Sequence, residues 1–128
     1  MSIAPAAIAP PVLSVTTGGL RVISETLPGT RSVAIGVWIG VGSRFERIEE
    51  AGISHFLEHM LFKGTPSLSA EQIAQEFDGL GGEVNAATGK DYTVLYARVL
   101  DDLLDRAFPL LTDLALIHLR RSRPAYAA

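Results

Sequence analysis

An α+β fold is predicted for this chain of 128 residues, with an antiparallel or mixed sheet and helices on one side. Three observations predict it. Short β-rich runs separated by glycine turns fill the first third of the chain and recur between 83 and 99. Two helical patterns with clear start and stop signals lie between them, and a leucine-rich helical pattern closes the chain. Strands on both sides of a helical pair, with a final helix to cover them, give that class.

Each element follows from local chemistry. Met1 to Val12 is rich in Ala and Pro and has no Lys or Arg before its apolar residues. It is therefore a poor secretory signal or transit peptide, and residues 1–11 read as a flexible lead-in. Val12–Val15 and Leu20–Glu25 are β-rich and flank Thr17-Gly18-Gly19, which predicts a hairpin. Pro28-Gly29 marks a turn. Val33–Val41 is too apolar for a half-exposed strand, so a strand buried on both faces is expected. Gly36, Gly40 and Gly42 suggest close packing against its backbone.

Ser43–Glu50 is charged and reads as a loop. A helix is expected from about Ala51 to Phe62, with Ile53, Phe56, Leu57, Met60 and Leu61 on a buried stripe. Lys63, Gly64 and Pro66 end it. Ser69-Ala70-Glu71-Gln72 has the form of a capping box and opens a second helix to about Leu80. Glu83–Thr88 and Tyr92–Val99 read as strands joined at Gly89-Lys90. The last helix begins near Asp101 or Asp102 and carries Leu103, Leu104, Ala107, Leu110, Leu111 and Leu114, with Pro109 expected to kink or interrupt it.

Composition excludes several function classes. Hydrophobic residues make up 48% and charged residues 20%, which permits a packed core. The net charge of −3 gives no basic field for nucleic acid. With no cysteine there is no disulfide, thiolate ligand or cysteine nucleophile, and a reducing, cytoplasmic setting is expected. No apolar run approaches the ~20 residues that cross a bilayer.

The chemistry lies in His55-Phe56-Leu57-Glu58-His59. Residues three and four apart are neighbours on a helix, so both imidazoles and the carboxylate point into one small volume. At about 100° per residue they centre opposite the apolar stripe. The order H-x-x-E-H is the inverted zincin signature, so the spacing points to zinc, two nitrogen ligands and a base. The bland reading, three polar residues on a solvated helix face, fits the apolar neighbours poorly.

Gly52-Ile53-Ser54-His55-Phe56-Leu57-Glu58-His59-Met60-Leu61-Phe62-Lys63-Gly64-Thr65 resembles the active-site helix of the M16 metallopeptidases. That family includes pitrilysin, insulin-degrading enzyme and the mitochondrial processing peptidase β subunit. The likeness continues through Gly81–Thr88, Asp91-Tyr92-Thr93 and Tyr96, and includes Gly36, Val37, Trp38 and Gly42-Ser43-Arg44. It runs from about Leu20 to Leu116. The resemblance implies that residues 12–116 are the N-terminal portion of an M16 peptidase domain. It implies Zn2+ held by His55 and His59, and Glu58 as the base that takes a proton from the zinc-bound water. Asn85 and Ala86 match the edge-strand segment where an extended peptide substrate is held by main-chain hydrogen bonds. Read without the motif, Asn85 is only a polar residue near a strand end.

The resemblance also implies a third ligand, a glutamate roughly 75 to 80 residues past the second histidine, which falls beyond Ala128. Residues 117–128 depart from the family pattern and turn basic at Arg120, Arg121 and Arg123. A frameshift or premature end is therefore expected, and with it an incomplete domain of weak or no activity. Glu76, Glu83 and Asp91 are the local carboxylates that could replace the ligand, and a structural or solvent role is expected for each. His118 is expected at the surface. The implied activity is zinc-dependent endopeptidase action on extended peptides, with a second M16 domain or subunit as a partner. The alternative is a non-catalytic partner subunit; those typically lose the motif that this chain keeps. A lyase of the S-ribosylhomocysteine type is rejected because its chemistry needs cysteine.

Overall fold

The computed structural model describes residues 9–126, with side chains described through residue 121. The first eight residues of the expected lead-in and the last two of the expected tail lie outside the described residues. The chain divides into two compact units, one up to Arg31 and one from Ser32. The first is the expected hairpin. Strands β1 (Val12–Val15) and β2 (Arg21–Ser24) pair antiparallel, with Val12 opposite Ser24 and Val15 opposite Arg21. The Thr16 N–H donates to the Leu20 carbonyl and the Gly19 N–H to the Thr16 carbonyl, both at 2.9 Å, which closes the turn. The Thr30 N–H bonds the Leu27 carbonyl across Pro28-Gly29, as expected for a turn there.

The second unit is built on an antiparallel sheet of β3 (Ser32–Ile39), β4 (Glu83–Thr88) and β5 (Thr93–Leu100), in the order β3-β5-β4. Register fixes which side chains share a face. Val37, Leu95 and Ala86 lie in one row and Trp38, Val94 and Ala87 in the next. Along β5, Thr93, Leu95, Ala97 and Val99 are buried, whereas Arg98 and Leu100 on the opposite face are exposed. Three helices supply the cover: α1 (Ile53–Leu61), α2 (Ala70–Gly79) and α3 (Leu104–Tyr126). Leu61, Ile73, Phe77, Leu80, Ala107, Leu111 and Leu114 pack on the buried row. Each large apolar side chain buried there contributes about 1.5–3 kcal/mol. The α+β class with helices on one side is therefore what the chain adopts.

Strand β3 departs from expectation. It is an edge strand, and only one of its faces is covered, so Trp38 is 66% exposed instead of buried. Its apolar run reflects covered and open positions alike. Two of the three glycines behave as expected. A Cβ at Gly36 would meet the Trp38 ring at 2.5 Å, and one at Gly42 would meet the Gly89 carbonyl oxygen at 2.5 Å. Nothing approaches Gly40.

The segment expected as a loop, Ser43–Glu50, contains two 3-10 turns, Ser43–Phe45 and Ile48–Glu50. The capping box of α2 forms in full: the Ser69 Oγ accepts from the Gln72 N–H at 3.2 Å, and the Gln72 Oε1 accepts from the Ser69 N–H at 2.8 Å.

Helix α3 departs from expectation in that it is not interrupted at Pro109 and buries His118. It runs through Pro109 without interruption, because Ala107, Leu111 and Leu114 on either side are buried and hold the turns together. It also continues as helix through residues 117–126. Ile117 and His118 are buried, His118 to 1% exposure, so His118 is a core residue and not a surface one. The helical period explains this: His118 follows Leu111 and Ala115 by seven and three positions, on the face turned to the core. No helix among the described residues is long and apolar enough to cross a membrane.

Candidate metal centre

Helix α1 is short, and its two ends are fixed by groups from elsewhere in the chain. Gly52, at its N-cap, has φ +93° and no side chain with which to cap. The Glu46 carboxylate takes that role, its Oε2 accepting the Gly52 N–H at 2.7 Å and its Oε1 the Ser54 N–H at 2.9 Å. Burial pushes the Glu46 carboxyl up. Hydrogen bonds from the Ser54 side chain and from the backbone of Gly52 and Ser54 outweigh this and hold it below the ordinary carboxylate range. At the other end Arg121 Nη1 donates to the Met60 carbonyl at 3.1 Å.

Ser54, Leu57 and Leu61 form the buried side of α1. Phe56, expected on that side, is 60% exposed. Ile53 and Met60, also expected there, are half-buried. His55 and His59 are exposed and Glu58 is half-buried. The Nε2 atoms of the two histidines lie 3.0 Å apart, their rings edge to face with centroids at 4.5 Å. The His55 Nδ1 is 4.0 Å from the Glu58 Oε2.

Two nitrogens that share a tetrahedral zinc at about 2.0–2.1 Å lie roughly 3.3 Å from each other. The observed pair is near that separation. The donor set also suits zinc, since both donors are imidazoles whose Nε2 atoms converge. His55 and His59 could therefore hold the metal, with the Glu58 carboxylate beside it. Among the described residues no cluster of three or more His, Asp, Glu or Cys side chains is placed to hold a metal ion. The three local carboxylates do not reach the pair. Asp91 binds Arg44 at 2.8 Å, Glu76 meets Arg106 at 3.5 Å, and Glu83 is exposed on β4.

Strand β4 is an edge strand, and α1 packs against it. Asn85 and Ala86 therefore sit on the strand beside the histidine helix. Asn85 points to the open face and Ala86 is buried beneath the helices. The Asn85 Oδ1 accepts the Ala86 N–H at 2.9 Å, so that N–H is already engaged within the chain.

Sequence reasoning missed the role of Glu46 and misplaced His118. Glu46 caps α1 from six positions before the N-cap, where no local capping signal exists. His118 lies in the α1–α3 layer. Burial lowers its pKa below the ordinary imidazole value, and the charge of Glu58 pulls it the other way. Among the described residues, neither its buried Nδ1 nor the buried Glu50 Oε2 has a hydrogen-bond partner. The repeat of buried positions along α3 was the one signal that could have found His118.

Known proteins can be set beside this geometry. The family model for insulinase (peptidase family M16) matches residues 21–119. The chain is 57% identical over 96 residues to a Bacillus subtilis protein named uncharacterized zinc protease YmxG, which covers 75% of this chain and 24% of the relative. It is 51% identical over 112 residues to uncharacterized zinc protease Rv2782c of Mycobacterium tuberculosis, covering 88% of this chain and 26% of the relative. The crystal structure of a protease from Helicobacter pylori superposes with a TM-score of 0.77 at 30% identity, over 84% of this chain and 26% of that one. The chain thus spans about a quarter of the length of the curated relatives it matches. On the family match and these likenesses, the chain belongs to the insulinase family, peptidase family M16.

Proposed function

We propose that this chain carries the metal-binding and proton-transfer part of a zinc metalloendopeptidase site, with His55 and His59 as the metal donors and Glu58 as the general base. The observation that carries the proposal is the convergence of the two Nε2 atoms at 3.0 Å on the same helix face as Glu58. The names of the relatives, zinc proteases, support it. Zinc held there would supply Lewis-acid charge that acidifies a water and polarises a peptide carbonyl. The rest falls to the chain's own groups. Glu58, half-buried on α1, accepts a proton from the attacking water and is placed to return it to the leaving amine. The exposed outer side of His55 and His59 leaves room for a peptide. An extended peptide would add to the free edge of β4 through main-chain hydrogen bonds, near Asn85 and Ala86. The Asn85 carboxamide must first release the Ala86 N–H.

Only two nitrogen donors meet among the described residues. The chain by itself is therefore expected to bind zinc weakly and to turn over peptide slowly or not at all. Zinc affinity and hydrolysis of an unfolded peptide, measured for the parent and for Glu58→Gln, test the reading. Zinc affinity unchanged with any hydrolysis abolished supports it. Hydrolysis that survives in Glu58→Gln contradicts the assignment of the base.

One observation favours a second reading, in which the chain serves as a binding surface for another family domain or subunit. Ile48 is 93% exposed, and Phe45, Phe56 and Trp38 are exposed as well. Under that reading Glu58→Gln leaves complex formation intact.

A further inference from the structure

We infer that Glu46 is a positioning residue for the metal helix: it holds the first turn of α1, and His55 with it, in register with the β4–β5 hairpin. The inference rests on the reading of His55 and His59 as metal donors and adds what keeps them in place.

A helix begins with four N–H groups that have no partner within it. In α1 the N-cap is Gly52 and the first turn holds no acidic residue. Glu46 satisfies two of those groups, the N–H of Gly52 and of Ser54, at 2.7 and 2.9 Å. Its negative charge also lies at the positive end of the helix dipole. Ser54 is fully buried and directly precedes His55. Any shift of this turn moves His55 relative to His59, one turn further on and anchored by Leu57 and Leu61.

The segment that carries Glu46 is itself fixed at its other end. The Ser43 N–H donates to the Gly89 carbonyl at 3.1 Å, and the Arg44 N–H to the Lys90 carbonyl at 2.9 Å. The Arg44 guanidinium pairs with Asp91 at 2.8 Å. A Cβ on Gly42 would lie 2.5 Å from the Gly89 oxygen, so the backbones meet with no room between them. Residues 42–46 are thus a short strut with one end on the β4–β5 turn and the other on α1. That hairpin includes β4, the free edge beside the histidines. Through Glu46, the strand edge and the first metal donor are held to each other.

Helix α2 supplies the control, because it carries its own capping box at Ser69 and holds neither histidine. The test compares the full chain with Glu46→Ala, Glu46→Gln and Ser69→Ala. Hydrogen exchange is followed without metal, and Zn2+ affinity by competition with a chromophoric chelator. In Glu46→Ala, the amides from Gly52 to Phe56 are expected to exchange about fivefold faster or more, the scale of a lost cap. Zinc affinity is expected to fall by a similar factor. Glu46→Gln, which keeps one acceptor, is expected to fall between, and it provides the readout if the alanine variant does not fold. Ser69→Ala is expected to speed exchange at the start of α2 and to leave zinc affinity within about twofold. Unchanged exchange from Gly52 to Phe56, or an equal loss of zinc affinity in Ser69→Ala, would overturn the proposal. If the parent shows no zinc binding that depends on His55, the metal reading fails, and exchange at Gly52–Phe56 still decides whether Glu46 holds the turn.

Discussion

Glu46 and Gly42 sit four residues apart and show how single side chains connect distant parts of this molecule. The folded-state pKa of Glu46 is lowered. Its contribution to stability is therefore fully present above the unfolded carboxylate value, and it is lost as pH falls through the folded value. The difference in melting temperature between the parent and Glu46→Gln is expected to be largest at neutral pH and to close as the solution is acidified. A thermal-melt series from pH 7 downward checks this, and a constant difference would argue against the lowered pKa. Gly42→Ala would place a methyl against the carbonyls of Gly89 and Lys90. A loss of about 1–3 kcal/mol, typical of overpacking, is expected in urea unfolding. At this scale the meeting of His55, Glu58 and His59 on one helix face was legible in the sequence, because spacing along one helix fixes which side chains meet. Glu46 was not legible, because its partners depend on how a 3-10 turn folds back toward the helix.

The elements were legible wherever a local rule governs them. The Ser69–Gln72 capping box, the Pro28-Gly29 turn and the hairpin of β1 and β2 each follow from a few adjacent residues. Strand β3, and in α3 the unbroken turn at Pro109 and the buried His118, depart from expectation because tertiary position overrides local pattern. An apolar run signals burial only if the strand has neighbours on both faces, and a proline breaks a helix only if nothing holds the flanking turns. The buried His118 on α3 leads to a testable pH effect. Its folded pKa is below the ordinary 6.5. Stability is thus highest above that value and falls as pH drops toward the folded value, since the unfolded chain then binds the proton more readily. His118→Leu is expected to flatten the fall in melting temperature between about pH 7.5 and 5.5. An unaltered slope would contradict this.

For the whole molecule, the α+β class and the one-sided placement of helices were legible, and so was the likeness to the insulinase family. The exposed surface follows from that architecture. Within the unit from Ser32, β3 and β4 are the outer strands of the described sheet, and Trp38, Ile48 and Phe56 are exposed. Free strand edges and apolar patches promote association. Light scattering from micromolar to higher concentration is therefore expected to detect self-association, and a strictly monomeric chain throughout would count against it. Two histidine nitrogens 3.0 Å apart beside Glu58 form the centre of the functional reading. X-ray absorption at the zinc edge of the zinc-loaded chain tests it most directly. Two imidazole scatterers at about 2.0–2.1 Å, lost when His55 and His59 are both replaced by alanine, are the expected result. A zinc spectrum without imidazole, or one unchanged by that double substitution, would contradict it.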